Sequence, residues 1–289
     1  MTDDPDYWVC RLLLCYQCCG FAGLMAGAPD TTPLRLHWWK AEPNFGDAIN
    51  PLIVGHVSGR LVEHVGPKKA DMFALGSMMQ VVKRALKEGR KNAEPLCIWG
   101  TGLLHPVFGH DFMDKIEVAL VRGPVTAALL KLKMKRFGDP GLLINEVLPF
   151  DGACSERIGI VPHYTLMQDK SLLAFVASDP VYLLIDPRDD PVDVCMQIAS
   201  CAHIYASSLH GLIVADAYGV PNTWIDPVGQ SWLKYLDYAA SIGRRDMVAP
   251  LELDEVAAHR PALLNYADGI NAAREALLTS FPARMKSTA

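Results

Sequence analysis

The sequence has no long run of basic residues, and its formal net charge of −5 with a pI near 6.0 withholds the electrostatic footprint that a nucleic-acid surface requires. Nucleic acid is therefore excluded as a partner. Neither a dinucleotide fingerprint nor a Walker loop is present: Gly100-Thr101-Gly102 has two glycines suited to an anion but the spacing of neither motif. No His, Asp and Glu set has ligand spacing, and Cys15-x-x-Cys18 followed by Cys19 lacks a second His/Cys pair, so no metal and no cofactor is expected. The uncharged apolar run Leu12 to Ala28 is short for a membrane span and is diluted by Gln17 and by the cysteines Cys10, Cys15, Cys18 and Cys19 at and beside it. Ala26-Gly27-Ala28 resembles a signal-peptidase site, yet the preceding residues are acidic (Asp3, Asp4, Asp6) with Arg11 alone positive. Residues 1–30 stand apart as an apolar, Cys-rich leader or extension. The other cysteines (Cys97, Cys154, Cys195, Cys201) are scattered singly, which points to a reducing compartment. The expected location is the cytoplasm, with peripheral association at the inner face of the membrane left open by the leader.

What is present is a large apolar fraction in a regular grammar. With 289 residues and 51% hydrophobic content, the chain can bury one large core or two smaller ones. From Leu34 onward short apolar runs alternate with segments of helical spacing: strands near 34–39, 60–65, 72–75, 96–99, 117–121, 157–164, 181–185, 202–206 and 223–225, and helices from Pro51 (capped by Asn50), near 78–88, from Pro124, over 191–200 and from Leu209. Such alternation predicts an α/β fold with parallel sheets, arranged as two doubly wound halves facing one cleft, at 31–152 and 153–289. After Asp226 the chain reads as mainly helical, 265–279 as a packing helix, and no chemistry is apparent there.

Candidate residues cluster where strands hand over to helices, the ligand-binding end of an open parallel sheet. His210 follows Ser207 and Ser208 at a helix start, where free N–H groups and the helix dipole suit a phosphate or carboxylate and an imidazole can move protons. Asn44-Phe45-Gly46-Asp47 leaves the first strand; Gly46 permits close backbone approach and Asp47 offers a carboxylate as base. Arg122 is the first charge after an apolar strand, placed for a bidentate anion contact, and His163 ends another strand. The plainer readings stay open beside these: a Ser-capped helix with a packing histidine, a capped turn, a surface arginine and a structural His163.

Taken in order, Asn44-x-Gly46-Asp47, Arg122-Gly-Pro-x-Thr126, Gly138-Asp139-Pro140, Pro162-His163-Tyr164 and Leu209-His210-Gly211 with Ala215 and Gly219-Val220-Pro221 resemble the polysaccharide pyruvyl transferases, most closely the exopolysaccharide ketal pyruvyl transferases. The resemblance spans about Leu34 to Asp226. It implies two Rossmann-like halves of glycosyltransferase-B type, and transfer of the enolpyruvyl unit of phosphoenolpyruvate to hydroxyls of an exopolysaccharide or cell-surface glycan, free or lipid-linked, with a pyruvyl ketal formed and phosphate released. On that chemistry His210 is the general acid and Asp47 accepts the hydroxyl proton. Arg122, Ser207, Ser208 and His163 bind the donor, and Asn44 and Gly46 face the acceptor. One departure matters: relatives often place Arg before the Leu-His-Gly triplet, where this chain has Ser208. Two other readings remain: a nucleotide-sugar glycosyltransferase, and a catalytically silent glycan-binding paralogue.

Overall fold

The computed structural model describes residues 32–287 other than 91, 93, 261 and 262. The expectations for the 1–30 leader and its Cys15, Cys18 and Cys19 lie outside the described residues. In chain order the elements are β1 (Leu34–Leu36), α1 (Phe45–Ala48), α2 (Asn50–Ser58), β2 (Val62–His64), β3 (Met72–Phe73), α3 (Met79–Lys87), β4 (Leu96–Trp99), β5 (Ile116–Leu120), α4 (Pro124–Leu129) and α5 (Ile144–Val147). They continue with β6 (Ile158–Val161), α6 (Lys170–Ala177), β7 (Tyr182–Leu184), α7 (Pro191–Ser200), β8 (His203–Ala206), α8 (Leu209–Tyr218), β9 (Asn222–Trp224), α9 (Leu233–Ser241) and α10 (Ala267–Ser280).

Apolar runs such as Leu96-Cys-Ile-Trp, buried at all positions, have no solvent face and therefore belong inside a sheet covered on both sides. Every strand pair is parallel, in two sheets of order β2-β1-β3-β4-β5 and β7-β6-β8-β9. This is a Rossmann-like α/β arrangement. In each sheet the order reverses once, between β1 and β3 and between β6 and β8, and the crevice beyond the carboxyl ends of such strands is where open α/β sheets hold ligands.

Local chemistry fixes the element ends. Asp190 caps α7 through Val192 N (2.9 Å), with Pro191 in the first turn. α2 and α8 stop at Gly59 and Gly219, whose φ of 67° and 71° lies in the left-handed region that favours glycine. Asn50 departs from its expected role as a cap. It lies inside α2, fully buried, and its Oδ1 accepts from Leu75 N at 3.1 Å, tying the helix to the exit of β3.

Thr31–Lys286 forms one compact unit. A continuous buried cluster runs from Leu36, Phe45 and Ile53 through Leu142 and Ile213 to Val161 and Ile204, joining the two sheets. The chain passes from the first sheet to the second between β5 and β6, the interval that contains the expected 152/153 boundary, and α10 then comes back to the first sheet. Trp99 Nε1 in β4 donates to Leu277 O at 3.1 Å, and Phe281 meets the Trp99 ring edge-on at 4.9 Å. Among the described residues no helix is long and apolar enough to cross a membrane.

Candidate active site

Both reversal points carry candidate residues. At the exit of β1, Asn44 has extended backbone and caps α1: its Oδ1 accepts from Gly46 N (3.2 Å) while its Nδ2 donates to Asp47 Oδ2 (2.9 Å). Asn44 is thus committed to its own turn, where it aims the Asp47 carboxylate, instead of facing an acceptor. Burial pushes that carboxyl up to about 7, against the Asn44 hydrogen bond and the charge of Lys234 and with the help of Asp139. A carboxyl poised there exchanges protons at neutral pH.

At the second reversal point β8 delivers Ser207 and Ser208. Ser208 caps α8, its Oγ accepting from Gly211 N at 3.4 Å, and Ser207 Oγ accepts from His163 N at 2.8 Å. Each hydroxyl spends an acceptor site and keeps its O–H as a donor. His210 follows in the first turn, 7% exposed, its Nε2 buried with no protein partner among the described residues. Gly46 lies flush against this ring: a Cβ there would stand 2.0 Å from Nδ1. The close approach that Gly46 permits is therefore to His210, not to a ligand, and it brings the Asp47 turn of the first sheet against the histidine of the second. Burial, then Lys234 and Arg122, push the imidazole down to about 3, so it is neutral in the free protein.

Arg122 corrects its expected role most plainly. Fully buried, it donates from Nε to Asp237 Oδ2 (3.0 Å), from Nη1 to Ser77 Oγ (2.8 Å) and from Nη2 to Leu103 O (2.9 Å). Its guanidinium faces protein, and its charge reaches the site from beneath. The Gly100-Thr101-Gly102 turn serves this packing too. A Cβ on Gly102 would lie 2.5 Å from the Arg122 guanidinium, and the Gly102 N–H is spent on Gly76 O at 3.0 Å.

The segment after Asp226, in which the sequence showed no chemistry, brings a further cation to the site. α9 is pinned to both sheets: Asp237 accepts from Arg122 and from Thr126 N (2.8 Å) and Oγ1 (2.7 Å), while Tyr235 OH donates to Ser207 O (2.5 Å). One residue before Tyr235 stands Lys234, 9% exposed, its Nζ 5.1 Å from the Tyr235 ring centroid. Burial and Arg122 push its ammonium down to about 8, with Asp47 opposing, and its charge in turn reaches His163 and His210. Asp139 is the other addition. It is fully buried, with Oδ1 accepting from Gly141 N (2.9 Å), Oδ2 unpartnered among the described residues, and its carboxyl pushed up to about 6 by burial. The Gly138-Asp139-Pro140 string was the one available signal for it; no local pattern marks Lys234. His163 lies half-buried at the edge, its Nδ1 2.8 Å from Thr165 Oγ1 and its ring pushed down to about 4 by burial and by Lys234. Asp47, Gly46, His210 and Lys234 therefore gather with Ser207, Ser208 and His163 in one neighbourhood, with Arg122, Asn44 and Asp139 packed on it or acting on it. Among the described residues no group of three or more His, Cys, Asp and Glu stands together as a metal cage.

The sequence model of the family described as polysaccharide pyruvyl transferase matches residues 29–227. The chain belongs to that family. One similar chain is L143 of Acanthamoeba polyphaga mimivirus, an uncharacterized protein, 28% identical over 222 residues, or 73% of this chain and 75% of L143. The succinoglycan biosynthesis protein ExoV of Rhizobium meliloti strain 1021 is 31% identical over 224 residues, or 73% of this chain. The aligned part spans 65% of ExoV's own length. The crystal structure of KP1_0663 from Klebsiella pneumoniae subsp. pneumoniae NTUH-K2044 is similar at 12% identity with a TM-score of 0.45, covering 87% of this chain and 99% of that one. The family match ends before Lys234 and Asp237.

Proposed function

We propose that this chain moves the pyruvyl unit of phosphoenolpyruvate onto a pair of hydroxyls of an exopolysaccharide or cell-surface glycan, closing a ketal and releasing phosphate. The observation that carries the reading is the packing of the Asp47 turn, through Gly46, on the His210 ring at the reversal points of two parallel sheets, in a chain of the pyruvyl transferase family. Similarity to a succinoglycan biosynthesis protein supports the acceptor class. The two-sheet plan is read, in this proposal, as a glycosyltransferase-B cleft with donor and acceptor between the strand ends.

The donor's carboxylate and phosphate dock against Lys234, the Ser207 and Ser208 O–H groups and the first turn of α8, with His163 at the rim. Lys234 takes the place that the absent arginine at Ser208 leaves open. Docked negative charge offsets Lys234 and Arg122, which hold His210 neutral in the free site, and so makes the imidazolium accessible. His210 then protonates the donor methylene, the first sugar oxygen bonds to the cationic carbon, and Asp47 takes the hydroxyl proton. Phosphate leaves with the proton from Asp47, the second oxygen closes on the same carbon, and its proton returns to His210. The two hydroxyl protons thus end on the new methyl group and on phosphate.

Two results test the reading. Calorimetry on the full chain is expected to show binding of phosphoenolpyruvate and not of nucleotide sugars, followed by acceptor-dependent phosphate release. Binding of a nucleotide sugar alone would replace this reading with a glycosyltransferase, and binding of neither with a silent glycan-binding paralogue. The second is the pH dependence of kcat/KM. His210 must carry a proton and Asp47 must not, so their opposing slopes cancel between about 3 and about 7 and the rate is level there; it falls above about 7, and more steeply above about 8 where Lys234 loses its proton. Lys234→Arg should remove that steeper limb, because guanidinium stays charged. A profile flat from pH 6 to 9 would remove both groups from the mechanism.

A further inference from the structure

We propose that this protein docks on an anionic lipid surface through the basic segment Lys131-Leu-Lys133-Met-Lys135-Arg136 together with the exposed ring of Phe108. The chain as a whole is acidic, yet no Asp or Glu occurs between Glu117 and Asp139. Within that interval Leu132 and Met134 are partly buried against the core around Val121 and Leu130, and Lys131, Lys133, Lys135 and Arg136 are all exposed. The segment is irregular, with Lys131 at a φ of 58°, and the half-buried Leu132 and Met134 tie it to the core while the three lysines stay in solvent. Among the described residues none of these four cations is in an ion pair; Arg136 donates to Thr279 Oγ1 at 3.2 Å. A row of unpaired cations held outward by its own hydrophobic neighbours fits a surface of negative headgroups.

Phe108 supplies the apolar part of such a surface. It is 86% exposed, the most exposed large apolar side chain among the described residues, on the loop that leaves the carboxyl end of β4. The loop is braced on both sides: Lys83 Nζ donates to Phe108 O, and His110 Nε2 lies 2.9 Å from Leu129 O, two residues before Lys131. The aromatic tip and the lysine row are thereby fixed on neighbouring parts of the surface. An exposed aromatic beside lysines is the composition that enters a headgroup layer, and the net charge of −5 over the whole chain argues against the broad basic field that a nucleic acid needs. Asp111 and Asp114 are the acidic residues nearest along the chain, on the turn that follows the loop. The Phe108 loop starts at Leu103, whose carbonyl holds Arg122, so this surface adjoins the end of the first sheet that carries the candidate site.

The test is sedimentation of the full chain with vesicles of phosphatidylcholine containing phosphatidylglycerol, and with pure phosphatidylcholine, across a salt series. Expected is salt-sensitive partitioning to the anionic vesicles that falls about a hundredfold in the K131Q/K133Q/K135Q variant, since each lysine near such a surface contributes roughly a factor of five. Phe108→Ser should lower partitioning with no change in salt slope. Because every altered side chain is exposed, both variants should melt with the wild type. Equal partitioning of wild type and the triple variant would overturn the proposal and leave any membrane binding to the leader. Wild-type binding to a single-stranded oligonucleotide without binding to anionic vesicles would overturn it as well.

Discussion

His210→Ala is expected to lower kcat for phosphate release from phosphoenolpyruvate by about 10²–10⁴-fold, the usual worth of one positioned proton donor. The reason lies in what surrounds the ring. Its Nε2 is buried without a protein partner among the described residues, and the charges that act on it, Lys234 and Arg122, are both positive. A histidine in that setting binds no proton at pH 7 until an anion arrives. Phosphoenolpyruvate binding should therefore take up protons at pH 7, measured as a dependence of the calorimetric enthalpy on the buffer's ionisation enthalpy, and His210→Ala should lower that uptake to the part supplied by Asp47 and Lys234. Gly46→Ala offers an independent check without touching an ionisable group. Its methyl would stand 2.0 Å from Nδ1, so the ring must move, and kcat should fall although His210 is intact. Turnover unchanged in His210→Ala would remove the imidazole from the reaction.

The second large effect concerns stability. Asp237→Ala should destabilise the protein by about 3–5 kcal/mol, because removing one member of a buried pair strands the other charge. Asp237 and Arg122 are both fully buried, 115 residues apart in sequence, and the same carboxylate also satisfies Thr126 N and Oγ1. Its loss leaves an unpaired guanidinium and two orphaned donors. The Asp237→Ala/Arg122→Met double variant should recover much of the loss, since no charge is then left buried. Urea unfolding of the singles and the double supplies the cycle. A single-variant cost below about 1 kcal/mol would mean that water or another carboxylate takes over, contrary to the geometry.

How much of this was legible in the sequence follows the range of the interactions. Strands and helices are written locally, as apolar spacing, and the bounds of β4 and α7 match their patterns. His210 at a helix start was equally local, since Ser208, Leu209 and Gly219 state the cap, the face and the stop. Roles set by distant partners were not. Asn50 has the chemistry of a cap, but its buried oxygen is claimed by Leu75, a strand away. Arg122 looks like an anion ligand until α9 brings Asp237 to it. Lys234 had no readable signal, for one lysine in an amphipathic helix is ordinary until folding buries it beside Asp47 and His210.

The position of α10 bears on how the chain can be made. Its Ala273, Ala276 and Leu277, with Phe281 just beyond, complete the buried layer around Trp99, a residue synthesised some 170 positions earlier. While the ribosome is still translating, the first sheet therefore lacks a wall and stays partly uncovered until the residues of α10 have been made. The order in which the sheets are synthesised and the order in which they can be finished are thus opposed, and the amino-terminal half, produced alone, would keep its Trp99 face open to any passing apolar surface.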